Sequence, residues 1–289
     1  MTLQDLKFGI YEKALPEMAS WPEKLDLAKR LNFSFVEMSI DESERRLARL
    51  EWARDERKAF INCVFDSGIS VPSICLSGHR RFPLGSHNPD IRARARKILH
   101  DAINFSAEVG IRTIQLAGYD VYYETGDNDT WQWFLDGLNE GVQKAAKEHV
   151  MLSMEIMDTH RISSIVRFMN LKRMIMNPWF TVYPDLGNLT AWGNDVVQEL
   201  ELGKDLITAI HLKDTLAVTK TFPGQFRDVS FGDGCVDFVA AFRALKRLHF
   251  TGPFLMEMWS GKGKNPVKEI EEAREWIITR MKEGGYINE

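Results

Sequence analysis

Cysteine is scarce in this sequence and poorly placed for bonding: Cys63, Cys75 and Cys235 are an odd number with no Cys-x-x-Cys pair. That spacing excludes a disulfide framework and a cysteine-ligated zinc site, and it fits a reducing cytoplasm. Long apolar runs are missing too. Nothing approaches the ~20 residues of a membrane span or a secretory leader, and the strand-like Phe8-Gly9-Ile10-Tyr11 begins almost at once, so the expectation is a cytoplasmic protein with no membrane partner. Basic charge is not in excess: 37 Lys and Arg stand against 41 Asp and Glu, a formal net charge of −4, which argues against a nucleic-acid surface. No glycine-rich turn follows the first strand, where Glu12-Lys13-Ala14 stands instead. A doubly wound dinucleotide fold would want one. No linker, repeat or low-complexity tract divides the chain, so a single domain over 1–289 is expected.

What is present is a core-forming composition, 44% hydrophobic, laid out as alternating strands and helices. Strand-like runs fall at 8–11, 35–38, 71–76, 113–116, around Glu155, and at 180–185, 207–211 and 253–257. Helical segments follow at 20–32, about 53–68, 88–110, 129–147, 163–176, 195–202, 237–248 and 266–282, with an extra helix expected inside the charged loop 41–52. The start and stop signals are specific: Ser20 with Glu23 forms a capping box, Asn88-Pro89 opens a helix, Asp129 is expected to cap another, and Gly68 and Gly110 close theirs. Eight strand-helix units in this length predict an α/β fold, a (β/α)₈ TIM barrel.

The run Val150-Met151-Leu152-Ser153-Met154-Glu155-Ile156-Met157-Asp158 reads as a strand buried on both faces, carrying a glutamate towards its end. An ionised carboxylate inside a closed sheet is costly unless paired or coordinated. Three later strands repeat the arrangement, ending in Asp185, His211 and Glu257. In a barrel the site lies at the C-terminal strand ends, so these four side chains are expected to converge at one mouth. Taken singly, each is more often a solvated loop residue or a helix cap than a ligand. Taken together, three carboxylates repel unless a cation or a shared proton holds them, which makes a divalent metal the economical reading. One imidazole in an oxygen-rich set suits Zn²⁺ or Mn²⁺, with Mg²⁺ or Co²⁺ as alternatives.

Several segments carry a resemblance to a known family. They are Gly9 through Leu15, Phe35 through Ser39, Leu76-Ser77-Gly78-His79-Arg80-Arg81-Phe82-Pro83-Leu84-Gly85, Gln115 through Tyr123, Met154 through Asp158, Tyr183-Pro184-Asp185-Leu186-Gly187-Asn188, His211-Leu212-Lys213-Asp214 and Glu257-Met258-Trp259. Nearly end to end, the chain resembles the xylose-isomerase-like barrels of sugar epimerases and isomerases. Within them it is most similar to the L-xylulose-5-phosphate (L-ribulose-5-phosphate) 3-epimerases of bacterial L-ascorbate and related pentose pathways. The resemblance implies that Glu155, Asp185, His211 and Glu257 ligate one metal ion and that Glu155 and Glu257 double as acid-base catalysts. It also implies a phosphosugar substrate; a homodimer is a further expectation.

Some positions depart from the pattern. Asn188 stands where the broader superfamily often has histidine, Ser230 and Asp233 stand where relatives usually carry Pro and Glu, and His160-Arg161 replaces residues expected to be apolar. For the phosphate, His79, Arg80, Arg81, Lys213 and Arg227 are the candidate cations; Arg80 and Arg81 could equally be ordinary surface charges. Tyr119, Tyr122 and Tyr123 are candidates to wall the sugar, although loop aromatics more often simply pack. Glu37 is a candidate to hydrogen-bond a hydroxyl or a ligand, and Asn188 a candidate substrate contact. The expected activity is 3-epimerisation of L-ribulose 5-phosphate and L-xylulose 5-phosphate through an enediolate. Aldose-ketose isomerisation, 3-epimerisation of another ketose, or non-catalytic sugar binding are the alternatives.

Overall fold

The computed structural model describes residues 2–17, 19–259 and 265–288. Its eight parallel strands are β1 (Phe8–Tyr11), β2 (Phe35–Ser39), β3 (Ser73–Leu76), β4 (Thr113–Ala117), β5 (Met151–Glu155), β6 (Phe180–Tyr183), β7 (Ile210–Leu212) and β8 (Phe254–Met256). The sheet order is β6-β5-β4-β3-β2-β1-β8-β7, and β1 pairs with both β2 and β8, which is the wrap of a (β/α)₈ barrel. Closure is nearly complete. Between β6 and β7 the ladder thins to isolated bridges, Val182 with Ile207 and Asp185 with His211. Pro184 has no N–H to give to a ladder at this seam, and its carbonyl accepts from the His211 N–H at 2.9 Å.

Side chains alternate across each strand, and here the alternation separates two environments. Ile10, Val36, Ile74, Ile114, Leu152, Val182, Ile210 and Phe254 point outward into the large apolar cluster shared with the helices. The residues between them line the barrel interior, where Tyr11, Phe35, Cys75 and Leu255 form a small separate cluster among the buried polar side chains of Glu37, Ser73, Gln115 and Ser153. Gly9 is needed at this level, since a β-carbon there would lie 2.2 Å from the Phe35 ring.

Among the described residues ten α-helices return the chain: α1 (Trp21–Arg30), α2 (Glu44–Leu47), α3 (Arg54–Ser67), α4 (Pro89–Val109), α5 (Asn128–Lys147), α6 (Ile165–Met174), α7 (Leu186–Ala191), α8 (Val196–Gly203), α9 (Phe238–Arg247) and α10 (Pro266–Glu283). The capping signals act as their chemistry dictates. The Ser20 N–H donates to Glu23 Oε2 at 2.7 Å, Asn88 Oδ1 accepts from the Asp90 N–H at 2.9 Å, and Gly68 and Gly110 end α3 and α4 with φ of 73° and 84°. Three details correct the expectations. Asp127, not Asp129, caps α5, accepting from the Thr130 N–H at 2.9 Å. The regular part of β7 starts at Ile210, because the seam interrupts pairing before it. The short helix α7 had no periodic signal to announce it, and it starts from Asp185 itself. Among the described residues no helix is long and apolar enough to cross a membrane.

Candidate metal and active site

Four consecutive strands, β5 to β8, deliver Glu155, Asp185, His211 and Glu257 to one end of the barrel, and one ligand-type atom from each lies within 4.8 Å of all the others. All four are buried. His211 Nδ1 is the common neighbour, 3.0 Å from Glu155 Oε1, 3.5 Å from Glu257 Oε2 and 3.9 Å from Asp185 Oδ2. Asp185 serves two masters through its two oxygens. Oδ1 accepts from the Asn188 N–H at 2.8 Å as the cap of α7, which leaves Oδ2 aimed into the cluster. The second oxygen of Glu155 is held by the Gln115 side-chain amide, which donates to Oε2.

Lys213 completes the group. Its Nζ sits 2.8 Å from Asp185 Oδ2 and 3.2 Å from Glu257 Oε2, as an ion pair without hydrogen-bond alignment, since both of these buried oxygens lack a hydrogen-bond partner. Burial works against the Lys213 ammonium, but the carboxylates of Asp185 and Glu257 outweigh it and hold the charge. Burial alone would raise Glu257; Lys213 and His211 beside it pull its carboxyl down to about 2. Asp185 goes the other way, to about 7, because burial and the nearby Glu257 and Glu155 charges exceed what Lys213 returns. Burial likewise raises Glu155 against the pull of its His211 hydrogen bond. Burial opposes a charged His211, yet the Glu155 and Glu37 contacts raise it well above the ordinary histidine range.

Four buried carboxylates, Glu37, Glu155, Asp185 and Glu257, thus face two cationic side chains, His211 and Lys213, and negative charge is in excess. That imbalance, with Asp185 Oδ2 and Glu257 Oε2 held by ion pairs but no hydrogen bond while they face one imidazole nitrogen, fits a divalent cation of oxygen and nitrogen preference.

Above the cluster opens a mouth, and Arg80, Asn188, Lys213, Arg227 and Trp259 are among its walls. Asn188 donates through Nδ2 to the Ile156 carbonyl at 2.8 Å, while its buried Oδ1 has no hydrogen-bond partner. The Arg80 guanidinium stacks 4.7 Å from the Tyr122 ring centroid, and Arg227 lies 5.6 Å from that of Trp259 and 3.9 Å from Asp158 Oδ2. Four expected substrate contacts do not reach this mouth. His79 is buried under α4 with Nε2 3.2 Å from the Ala95 carbonyl, and burial holds its imidazole down at about 4. Arg81 turns outward to Glu44, 2.7 Å away. Tyr119 is buried in a small gap beside His79 and Phe134. Glu37 lies fully buried in the barrel interior, against His211 Nε2 at 3.3 Å.

The unusual loop positions are also tied down. Asp214 Oδ2 accepts from the Gly232 and Gly234 N–H groups at 2.9 and 3.1 Å, and so holds the segment containing Asp233. Arg161 pairs with Asp120 at 3.0 Å. Gln115, Ser73 and Tyr183 were not among the expected site residues. The signal they offered was parity, since all three occupy the same inward register as Glu155 and Glu37.

A family profile described as Xylose isomerase-like TIM barrel matches residues 25–280. The chain belongs to that family. Among its relatives is SgbU of Escherichia coli (strain K12), to which the name L-ribulose-5-phosphate 3-epimerase is attached provisionally; it is 54% identical over 99% of this chain and 100% of its own length. The L-ribulose-5-phosphate 3-epimerase UlaE of Escherichia coli (strain SMS-3-5 / SECEC) is 48% identical over 99% of both chains. Among solved structures of similar fold, the apo 3-keto-D-glucoside 4-epimerase YcjR from E. coli superposes with a TM-score of 0.77 at 18% identity, covering 95% of this chain and 99% of its own. In this Xylose isomerase-like TIM barrel the buried cluster could bind a metal ion, and it sits at the strand ends where the barrel's site is expected.

Proposed function

We propose that this chain is a single-domain, divalent-metal-dependent 3-epimerase that interconverts L-ribulose 5-phosphate and L-xylulose 5-phosphate. Its full-length identity of 48–54% to proteins bearing that epimerase name makes it an enzyme of the isomerase class. The observation that carries the finer reading is the pair Glu155 and Glu257. They come from β5 and β8, with β6 and β7 between them, and flank the His211 imidazole at 3.0 and 3.5 Å.

The C3 proton of a 2-ketose is acidified by the adjacent carbonyl, and inversion needs a base on one face of that carbon and an acid on the other. Glu155 and Glu257 are assigned these two roles. A single carboxylate would require the enediolate to turn over between proton removal and return. A divalent ion held by Glu155, Asp185, His211 and Glu257, with Zn²⁺ or Mn²⁺ ahead of Mg²⁺ or Co²⁺, would supply Lewis-acid polarisation of the substrate oxygens. Gln115 orients Glu155 through its amide, and Lys213 fixes Asp185 and Glu257.

A phosphorylated substrate is supported by Arg80. Among the described residues its guanidinium makes no hydrogen bond and no ion pair; it stacks on Tyr122 at the wall of the mouth, with the Asp158 and Glu42 carboxylates favouring its charge and Arg227 also lining the mouth. An anion carrying several acceptor oxygens would satisfy it.

Incubating the purified protein with L-ribulose 5-phosphate in D₂O and following product by NMR tests the assignment. Deuterium entering C3 with appearance of L-xylulose 5-phosphate is expected; an aldose product would redirect the reading to C1–C2 isomerisation, and unchanged sugar would end it. With metal content matched to wild type, Glu155→Gln and Glu257→Gln should each lose turnover by about 10²-fold or more, while one still exchanges the C3 hydrogen of L-ribulose 5-phosphate and the other that of L-xylulose 5-phosphate, each without inversion. Wild-type turnover in either variant would break the two-carboxylate assignment.

A further inference from the structure

We propose that Glu37 is the positioning residue that places the ring proton of His211 on Nε2 and turns Nδ1 towards the metal. Glu37 belongs to β2, three strands from β7 through β1 and β8, so its side chain spans the barrel interior to reach His211. Oε1 lies 3.3 Å from His211 Nε2. Oε2 accepts from Ser73 Oγ at 2.6 Å and from Tyr183 OH at 3.3 Å, so two donors from β3 and β6 lock the carboxylate. The Tyr183 ring also packs edge-on against the imidazole with centroids 4.4 Å apart, fixing its plane.

A carboxylate with both other contacts supplied by donors can only accept from His211. Without an ion Glu155 Oε1, 3.0 Å from Nδ1, competes for the same proton; a cation taken up by Glu155, Asp185 and Glu257 would remove that competitor, so that the proton of a neutral imidazole sits on Nε2 against Glu37 and the lone pair falls on Nδ1. Carboxylate-imidazole pairs of this kind orient ligating histidines and raise their basicity. Glu37 does not itself line the mouth, so its effect runs through His211 and not through the sugar. The inference rests on the metal reading above, and the test separates the two.

Zn²⁺ affinity of the full chain is measured by competition with a chromophoric chelator, alongside the unfolding temperature of the metal-free protein. Glu37→Gln should weaken Zn²⁺ binding about 10- to 100-fold while the metal-free unfolding temperature changes little, and Ser73→Ala should weaken it less and add nothing in the Glu37→Gln background. Affinity within twofold of wild type in Glu37→Gln overturns the inference. Should that variant fail to fold, ¹⁵N-imidazole NMR of the zinc-loaded wild type decides, with the His211 signal assigned by its loss in His211→Asn: protonated Nε2 supports the inference and protonated Nδ1 overturns it. A wild-type chain that takes up none of Zn²⁺, Mn²⁺, Mg²⁺ and Co²⁺ overturns the metal reading and this inference with it.

Discussion

At the scale of single residues, the arginines show how one residue type divides between function and surface. Arg81 is paired outside with Glu44 at 2.7 Å, whereas its neighbour Arg80 lines the mouth stacked on Tyr122 and makes no ion pair among the described residues. The 3-10 turn at 77–80 accounts for the difference, since it rotates successive side chains by about 120°. A charge-assisted contact to phosphate contributes about 1.5–3 kcal/mol. Arg80→Ala should therefore lower kcat/KM for L-ribulose 5-phosphate about tenfold or more and leave the slower reaction of unphosphorylated L-ribulose little changed, with Arg81→Ala as the neutral control. Steady-state kinetics on both sugars checks it. Equal losses on the two sugars would place Arg80 in general architecture and not at the phosphate.

At the scale of elements, the end of β1 is tied to its surroundings by one carboxylate. Arg49 grips Glu12 with both arms at 2.6 and 2.7 Å, Lys24 of α1 adds a third contact at 2.7 Å, and the Ser39 N–H at the end of β2 a fourth at 2.8 Å. Burial would raise the Glu12 carboxyl, but Arg49 and Lys24 outweigh it and bring it to about 2 from 4.5. Burial pulls the Lys24 ammonium down even beside Glu12, so the bidentate arginine is the firm half of the knot. The sign follows from the depressed carboxylate: its stabilisation is present above the unfolded value of 4.5 and disappears as pH falls towards 2. Denaturant unfolding of wild type and Glu12→Gln should differ by about 3 kcal/mol at pH 6, a gap that narrows by roughly 2 kcal/mol at pH 3. A gap independent of pH would mean that Glu12 acts through shape and not through charge.

At the scale of the whole molecule, the barrel has one thin seam and the candidate ligands straddle it. Asp185 and His211 form one of the two isolated bridges that join β6 to β7. An ion bound to both would cross-link the place where the ladder is weakest. Removing metal with a chelator should lower the unfolding temperature by several degrees, because a ligand at 100 times its Kd stabilises by about 2.7 kcal/mol. Amide exchange should rise first in residues 182–185 and 207–211, and added Zn²⁺ should reverse both effects. Unfolding and exchange that ignore the chelator would count against a metal at this seam.

The order of strands, the caps at Ser20, Asn88, Gly68 and Gly110, and the residues at the ends of β5 to β8 were all legible in the sequence, because each depends on local periodicity or on the chemistry of a few neighbouring residues. The sugar class came from whole-segment resemblance and not from any local pattern. What only the tertiary structure decided is which side chains meet. His79 and Arg80 are adjacent in sequence, yet one is buried under α4 and the other lines the mouth. Glu37 and His211 are 174 residues apart, yet they are 3.3 Å apart across the barrel. Strand parity alone puts both inside, but their contact depends on how far the sheet curls and where its register falls. Those are set by packing summed over eight strands and their helices, and no short stretch of sequence contains that sum.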